Sequence, residues 1–171
     1  MSRLLRELKT RARLRLNASR RDPGAAPPSP DARLRDCLHA VSREVGFAHW
    51  EHARHVLQGL AFAGEDQGSF WHAPRCSTLL SPWFARHEDA AQALAQDATR
   101  VLLPYRRQYV LAGDDFLLEL GLDPDSPLWT DAGRDLVRAA GRAAWEALAW
   151  QRLRATRPLQ HTAAAAGPAV P

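Results

Sequence analysis

Residues 33–60 read Arg33-Leu-Arg-Asp-Cys-Leu-His-Ala-Val-Ser-Arg-Glu-Val-Gly-Phe-Ala-His-Trp-Glu-His-Ala-Arg-His-Val-Leu-Gln-Gly-Leu60. Leu34, Cys37, Leu38, Val41 and Val45 fall at the spacing of one helix face. Asp31 stands where a carboxylate caps such a helix and suits the positive end of its dipole. Gly46 follows the last apolar residue, the usual place for a left-handed residue that ends a helix. A second stripe begins at once with Trp50, Ala53, Val56, Leu57 and Leu60. The stretch therefore predicts two helices joined by a tight corner, with Phe47 as the plug between the stripes. Removing a plug of that size from a core costs about 3–5 kcal/mol.

The octet Arg43-Glu44-Val45-Gly46-Phe47-Ala48-His49-Trp50 resembles the "Arg-Glu-x-Gly-Phe-x-Ser-Trp" helix–corner–helix segment of many bacterial proteins, found before ankyrin arrays and in glyoxalase-like proteins. The segment implied by the likeness, residues 33–60, is a packing module and brings no chemistry with it. Position 49 departs from the pattern, which has Ser or Asp there as the cap of the second helix; His49 implies a weaker cap or a shifted start. No internal repeat is visible, so the likeness does not extend to an ankyrin array. Further on, Trp83-Phe84-Ala85-Arg86, Leu103-Pro104-Tyr105-Arg106-Arg107-Gln108 and Leu120-Gly121-Leu122-Asp123-Pro124 resemble blocks of uncharacterised bacterial proteins of similar size.

Outward from this corner, composition bounds the rest. The 171 residues suit one domain. Of the 23 basic residues only Lys9 is Lys, and the Arg- and Ala-rich usage points to a GC-rich bacterial genome. The formal charge of +4 is uneven: residues 1–21 carry eight basic groups against Glu7, and residues 22–171 carry fifteen basic against eighteen acidic groups. Two cysteines, Cys37 and Cys76, are too few for a disulfide framework. With no apolar run long enough for a membrane span and no signal peptide, a reducing cytoplasm is the expected compartment.

The chain divides into a basic amphipathic helix (1–17), a Pro/Ala linker (18–30), a single helical domain (31–157) and a disordered tail (158–171). In the first helix Leu5, Leu8, Ala12 and Leu16 share a face and Ser2 is its expected cap. Its basic faces have three readings. They are a solvated surface over a docked stripe, an anionic-surface binder for nucleic acid or lipid headgroups through Arg3, Arg6, Lys9, Arg11, Arg13 and Arg15, or an Arg-rich transit peptide.

Residues 61–69 read as a polar turn. Ser81-Pro82 reads as a helix start, with Phe84, His87, Ala91 and Leu94 inward and an end near Asp97. Residues 99–112 read as strand; Val101, Leu103, Tyr105 and Tyr109 share one parity, and Pro104 makes the strand either an edge strand or one that starts late. Asp114-Asp115 are expected to cap a short helix closed by Gly121. A last helix is expected from Ser126-Pro127 to about Arg157, with a break near Gly133 or Gly141. Together these predict a mainly α fold, with at most a minor two- or three-stranded β element.

Chemistry-bearing residues concentrate in 70–87, which holds four aromatics, two histidines, a cysteine and two arginines. His72, Cys76 and His87 offer zinc-ligand types, but their spacing matches no known finger and lacks a fourth ligand, so no metal or other cofactor is expected. The row His49, His52 and His55 reads as surface imidazoles beside Glu51 and Arg54. Cys76 with His72 or His87 is the one nucleophile–base arrangement that local folding could assemble, with Arg75 beside the thiol. No phosphate loop, zincin or hydrolase elbow motif occurs. Arg106 and Arg107 between Tyr105 and Tyr109 either hold phosphates and stack a base, or pair Asp114, Asp115 or Glu119 while the rings turn inward. The expectation is a non-catalytic binding or interaction protein whose ligand surface joins Trp71, His72, Arg75, Arg106, Arg107 and Tyr109, with an anionic partner. The alternatives are a small Cys/His enzyme and a nucleic-acid binder acting through the first helix.

Overall fold

The computed structural model of the chain describes residues 2–21 and 33–156. The Asp31 cap, most of the linker and the tail lie outside them. The fold is mainly α with a small three-stranded antiparallel sheet.

Helix α1 (Arg3–Arg21) starts where Ser2 Oγ accepts the Leu4 amide at 3.2 Å. It runs four residues past the expected boundary at 17, because Ala18 to Arg21 contain no helix breaker. Leu4, Leu5, Leu8, Ala12 and Leu16 are buried in the main core. The helix is thus an integral wall of the body. Arg11 fastens it: its guanidinium pairs with Glu7 at 2.9 Å, then donates to the Leu153 carbonyl and the Thr156 hydroxyl at the far end of the chain.

Helices α2 (Leu34–Glu44) and α3 (Trp50–Leu57) form the corner. α2 begins at Arg33, whose amide donates to Asp36 Oδ2 at 3.0 Å. Gly46 takes φ +104°, and a Cβ there would stand 2.8 Å from Phe70 N, so the position requires glycine twice over. Phe47 is buried and stacks on Phe70, with ring centroids 5.5 Å apart. The start of α3 is not shifted: His49 is its cap residue, and its Nδ1 accepts the His52 amide at 3.2 Å. The stripes are shorter than their spacing implied, since Leu34 and Leu60 at the outer ends are exposed.

The sheet orders β1 (Trp83–Phe84), β3 (Gln108–Ala112) and β2 (Val101–Tyr105), all antiparallel. The helix expected from Ser81 to about Asp97 is present only from His87, ending as expected near Asp97. Pro82 O accepts the Leu111 amide and Trp83 pairs with Val110, so two β-prone aromatics complete the sheet instead. Helix α4 (His87–Gln96) begins only after them. Strand β2 is an edge, the first of the two arrangements Pro104 allows, and its outer side bridges in parallel to Asp135.

Both sheet faces are covered. Val101, Leu103, Val110 and Ala112 join the main core, while Leu102, Tyr109 and Leu111 pack under α4. The single parity expected across 99–112 therefore fails at Tyr109. The chain reverses at Arg106-Arg107 with Tyr105 opposite Gln108, which sends Tyr109 to the other face.

Helix α5 (Asp114–Glu119) is preceded by Gly113 as its cap residue, so Asp114 and Asp115 lie inside the first turn, where they face the helix dipole. The last expected helix is two: α6 (Leu128–Asp131) and α7 (Ala143–Ala155). Between them, left-handed Gly133, Arg134 and Gly141 break the chain. Here Gly59 and Gly141 meet backbone to backbone, since a Cβ on Gly59 would fall 2.3 Å from Gly141 Cα.

Candidate functional site

The segment 70–72 sorts its rings by depth. Phe70 and Trp71 point inward and extend a chain of aromatic contacts, Phe47–Phe70–Trp71–Trp145, from the corner to α7. Arg152 of α7 holds the segment in place. Its guanidinium donates to the carbonyls of Phe70 (2.9 Å), His72 (3.0 Å) and Leu120 (3.0 Å). It is buried, and desolvation pushes its pKa below the usual arginine value. The Leu120 carbonyl belongs to the C-terminal end of α5, where a cation complements the dipole.

His72 points the other way. Its ring lies 4.7 Å from Tyr105 and 6.2 Å from Trp83, and Trp83 meets Tyr105 edge-on at 5.4 Å. The Arg106 guanidinium sits 5.4 Å over the Tyr105 ring. Trp83 is 40% exposed, His72 and Tyr105 are half-buried, and Arg106 and Arg107 are exposed at the hairpin tip. Arg106 takes φ +53° there, pinned because its amide donates to Gly68 O and its carbonyl accepts from Gln67 N. Burial, then the charges of Arg152 and Arg106, lower the pKa of His72. The result is one face on which three flat rings and the Arg106 guanidinium meet, with exposed Arg107 next in the chain.

Several expected site residues are not on that face. Trp71 is 1% exposed and belongs to the core. Tyr109 is 2% exposed on the opposite side of the sheet, its hydroxyl accepting the Gly64 amide at 2.7 Å. Arg75 is exposed but directed to Glu119, 3.9 Å away. Conversely, Trp83 and Tyr105 belong to the face although the expected ligand set omitted them. The signal for Trp83 was its place in Pro82-Trp83-Phe84, a strand-like run misread as helix.

His72, Cys76 and His87 do not converge. The Cys76 thiol is buried and meets the Phe116 carbonyl at 4.0 Å, and among the described residues it makes no hydrogen bond to an imidazole. Desolvation raises its pKa, and Cys37 is raised for the same reason. His87, the first residue of α4, is buried; its Nε2 meets Asp135 Oδ2 at 2.9 Å and its ring meets Tyr109 edge-on. His49, His52 and His55 are occupied by the His52 amide, the Asp66 carbonyl and Glu65 respectively. Among the described residues no three His, Cys, Asp or Glu side chains are grouped to hold a metal ion, and no helix is long and apolar enough to cross a membrane.

On α1 the basic residues divide. Arg11 is bound to α7, Arg3 lies 3.6 Å over the Trp150 ring, Lys9 faces Trp50, and Arg15 pairs with Glu44. Arg6 and Arg13 are exposed. Comparison with protein-family models, curated proteins and solved structures returns no match.

Proposed function

We propose that the protein is a non-catalytic binding module that holds an anionic partner on the face formed by His72, Trp83, Tyr105, Arg106 and Arg107. One observation carries this reading: the Arg106 guanidinium lies over the Tyr105 ring, which meets the exposed Trp83 indole edge-on, with exposed Arg107 next to Arg106 in the hairpin and buried Arg152 fixing the segment behind them. Guanidiniums supply attraction to phosphate or carboxylate, and the rings supply stacking surface for a flat group. The buried thiol of Cys76, its pKa raised by desolvation, argues against the alternative of a Cys/His enzyme. The resemblance of residues 43–50 to a packing module supports an architectural role for the corner, whose plug is wholly spent on the core.

A fluorescently labelled oligothymidylate presents both features to be recognised, and its anisotropy reads binding. The pair R106E/R107E is expected to weaken its binding by roughly tenfold or more. W83A is expected to weaken it by the loss of one stacking platform, worth about 1–3 kcal/mol. Binding unchanged in both variants would refute the reading.

A further inference from the structure

A concave feature that shares no residue with this face lies between α4 and the irregular segment 132–142. It is a cleft of about 450 Å³. Ala91 and Leu94 of α4 form part of an apolar wall, while Arg134, Arg138 and Arg142 line the other side. The chain builds this rim deliberately. Asp135 Oδ1 accepts the amides of Val137 and Arg138, and the Ala139 amide donates to Asp135 O, winding a local turn that sets the three arginines four residues apart along one side. The segment is anchored to the sheet edge at both flanks of Asp135, by Leu102 N to Arg134 O (2.7 Å) and Leu136 N to Leu102 O (3.0 Å). Arg134 is held at φ +55°, and its guanidinium donates to Thr99 O.

The single carboxylate in the lining, Asp135, is already engaged. Its Oδ2 meets His87 at 2.9 Å and lies 3.6 Å from Arg138 Nε. Three guanidiniums against one carboxylate leave a surplus of two positive charges among the lining residues. We infer that this cleft is a binding site for a small organic phosphate, its dianionic headgroup on Arg138 and Arg142 and its apolar body against Ala91 and Leu94. A phosphate monoester matches the surplus charge, and planar guanidinium forks match its oxygens. The assignment does not depend on the ring-and-arginine face.

Calorimetric titration of the full chain with phenyl phosphate tests it. Saturable binding of one molecule per chain is expected, weakened about tenfold or more by R138E and by R142E. Both side chains are exposed; among the described residues Arg142 has no ion pair to lose, R138E gives up the 3.6 Å contact with buried Asp135, and circular dichroism checks that each variant is folded. R106E/R107E is expected to leave this binding unchanged, which separates the cleft from the other face. Inorganic phosphate and benzoate are expected to bind more weakly than phenyl phosphate, the first for want of an apolar body and the second for want of a second charge. No saturable binding by folded protein, or binding indifferent to both R138E and R142E, would overturn the inference. Benzoate binding as tightly as phenyl phosphate would overturn the phosphate assignment, and inorganic phosphate doing so would overturn the organic one.

Discussion

Cys76 and His72 stand four positions apart and have opposite fates. The thiol is enclosed beneath α5, and desolvation holds it protonated, so it reacts only when the structure opens. Labelling of native protein by a disulfide reagent at neutral pH should therefore be far slower at Cys76 than for an exposed thiol, and denaturant should release it; rapid native labelling would contradict the burial. The imidazole of His72 is half-buried beside Arg106, and its pKa is lowered. As pH falls below the usual imidazole value of about 6.5, the unfolded chain takes up the proton first. Stability should then decline with falling pH across the window between that value and the lower folded one. An NMR titration of His72 should show a midpoint below the ordinary value, moving upward in R106E; a midpoint at or above the ordinary value would contradict it. The sequence marks His72 and Arg106 as chemistry-bearing but does not say which neighbouring rings stay at the surface. Trp71 sinks into the core and Trp83 does not, and that depends on contacts with Trp145 and Val110, far away along the chain.

Among the elements, the corner was legible and the sheet only partly so. Gly46 and Phe47 act locally, through a left-handed backbone and an adjacent plug, so their roles are encoded within a few residues. Strand β1 is encoded by its partner: Trp83-Phe84 has a sheet to join only because β3 runs beside it, and tertiary pairing overrides the helix-start signal of Ser81-Pro82. Tyr109 changed faces because a two-residue reversal at Arg106-Arg107 resets the alternation. Arg152 left no trace in the sequence at all, being one arginine among 22. Yet it ties α7, α5 and segment 70–72 together through three carbonyls. Arg152→Leu strands those carbonyls in the core and should destabilise the fold by about 3 kcal/mol or more in denaturant melts. Arg152→Lys should recover only part of this, since an ammonium lacks the fork that spans all three. A loss below about 0.5 kcal/mol for the Leu variant would show that the clamp is dispensable.

At the scale of the molecule, α1 closes the body, and its docking assigns the protein's basic charge. The apolar stripe of α1 was readable from periodicity, but whether it docked was not. That depends on α7, which presents Leu153 and Thr156 to Arg11 and Trp150 to Arg3. Four of the six basic side chains from which an anionic contact was expected are thereby engaged within the protein. The hairpin tip keeps its two arginines exposed, beside Tyr105 and its edge-on partner Trp83. On the proposed function, polyanion binding belongs to that tip and not to α1. The salt concentration at which the full chain leaves a heparin column tests it most directly, compared among the unaltered protein, R106E/R107E and R6E/R13E, each reversing two exposed charges. R106E/R107E is expected to elute at clearly lower salt than R6E/R13E. Loss of retention in R6E/R13E, with R106E/R107E eluting like the unaltered protein, would contradict it.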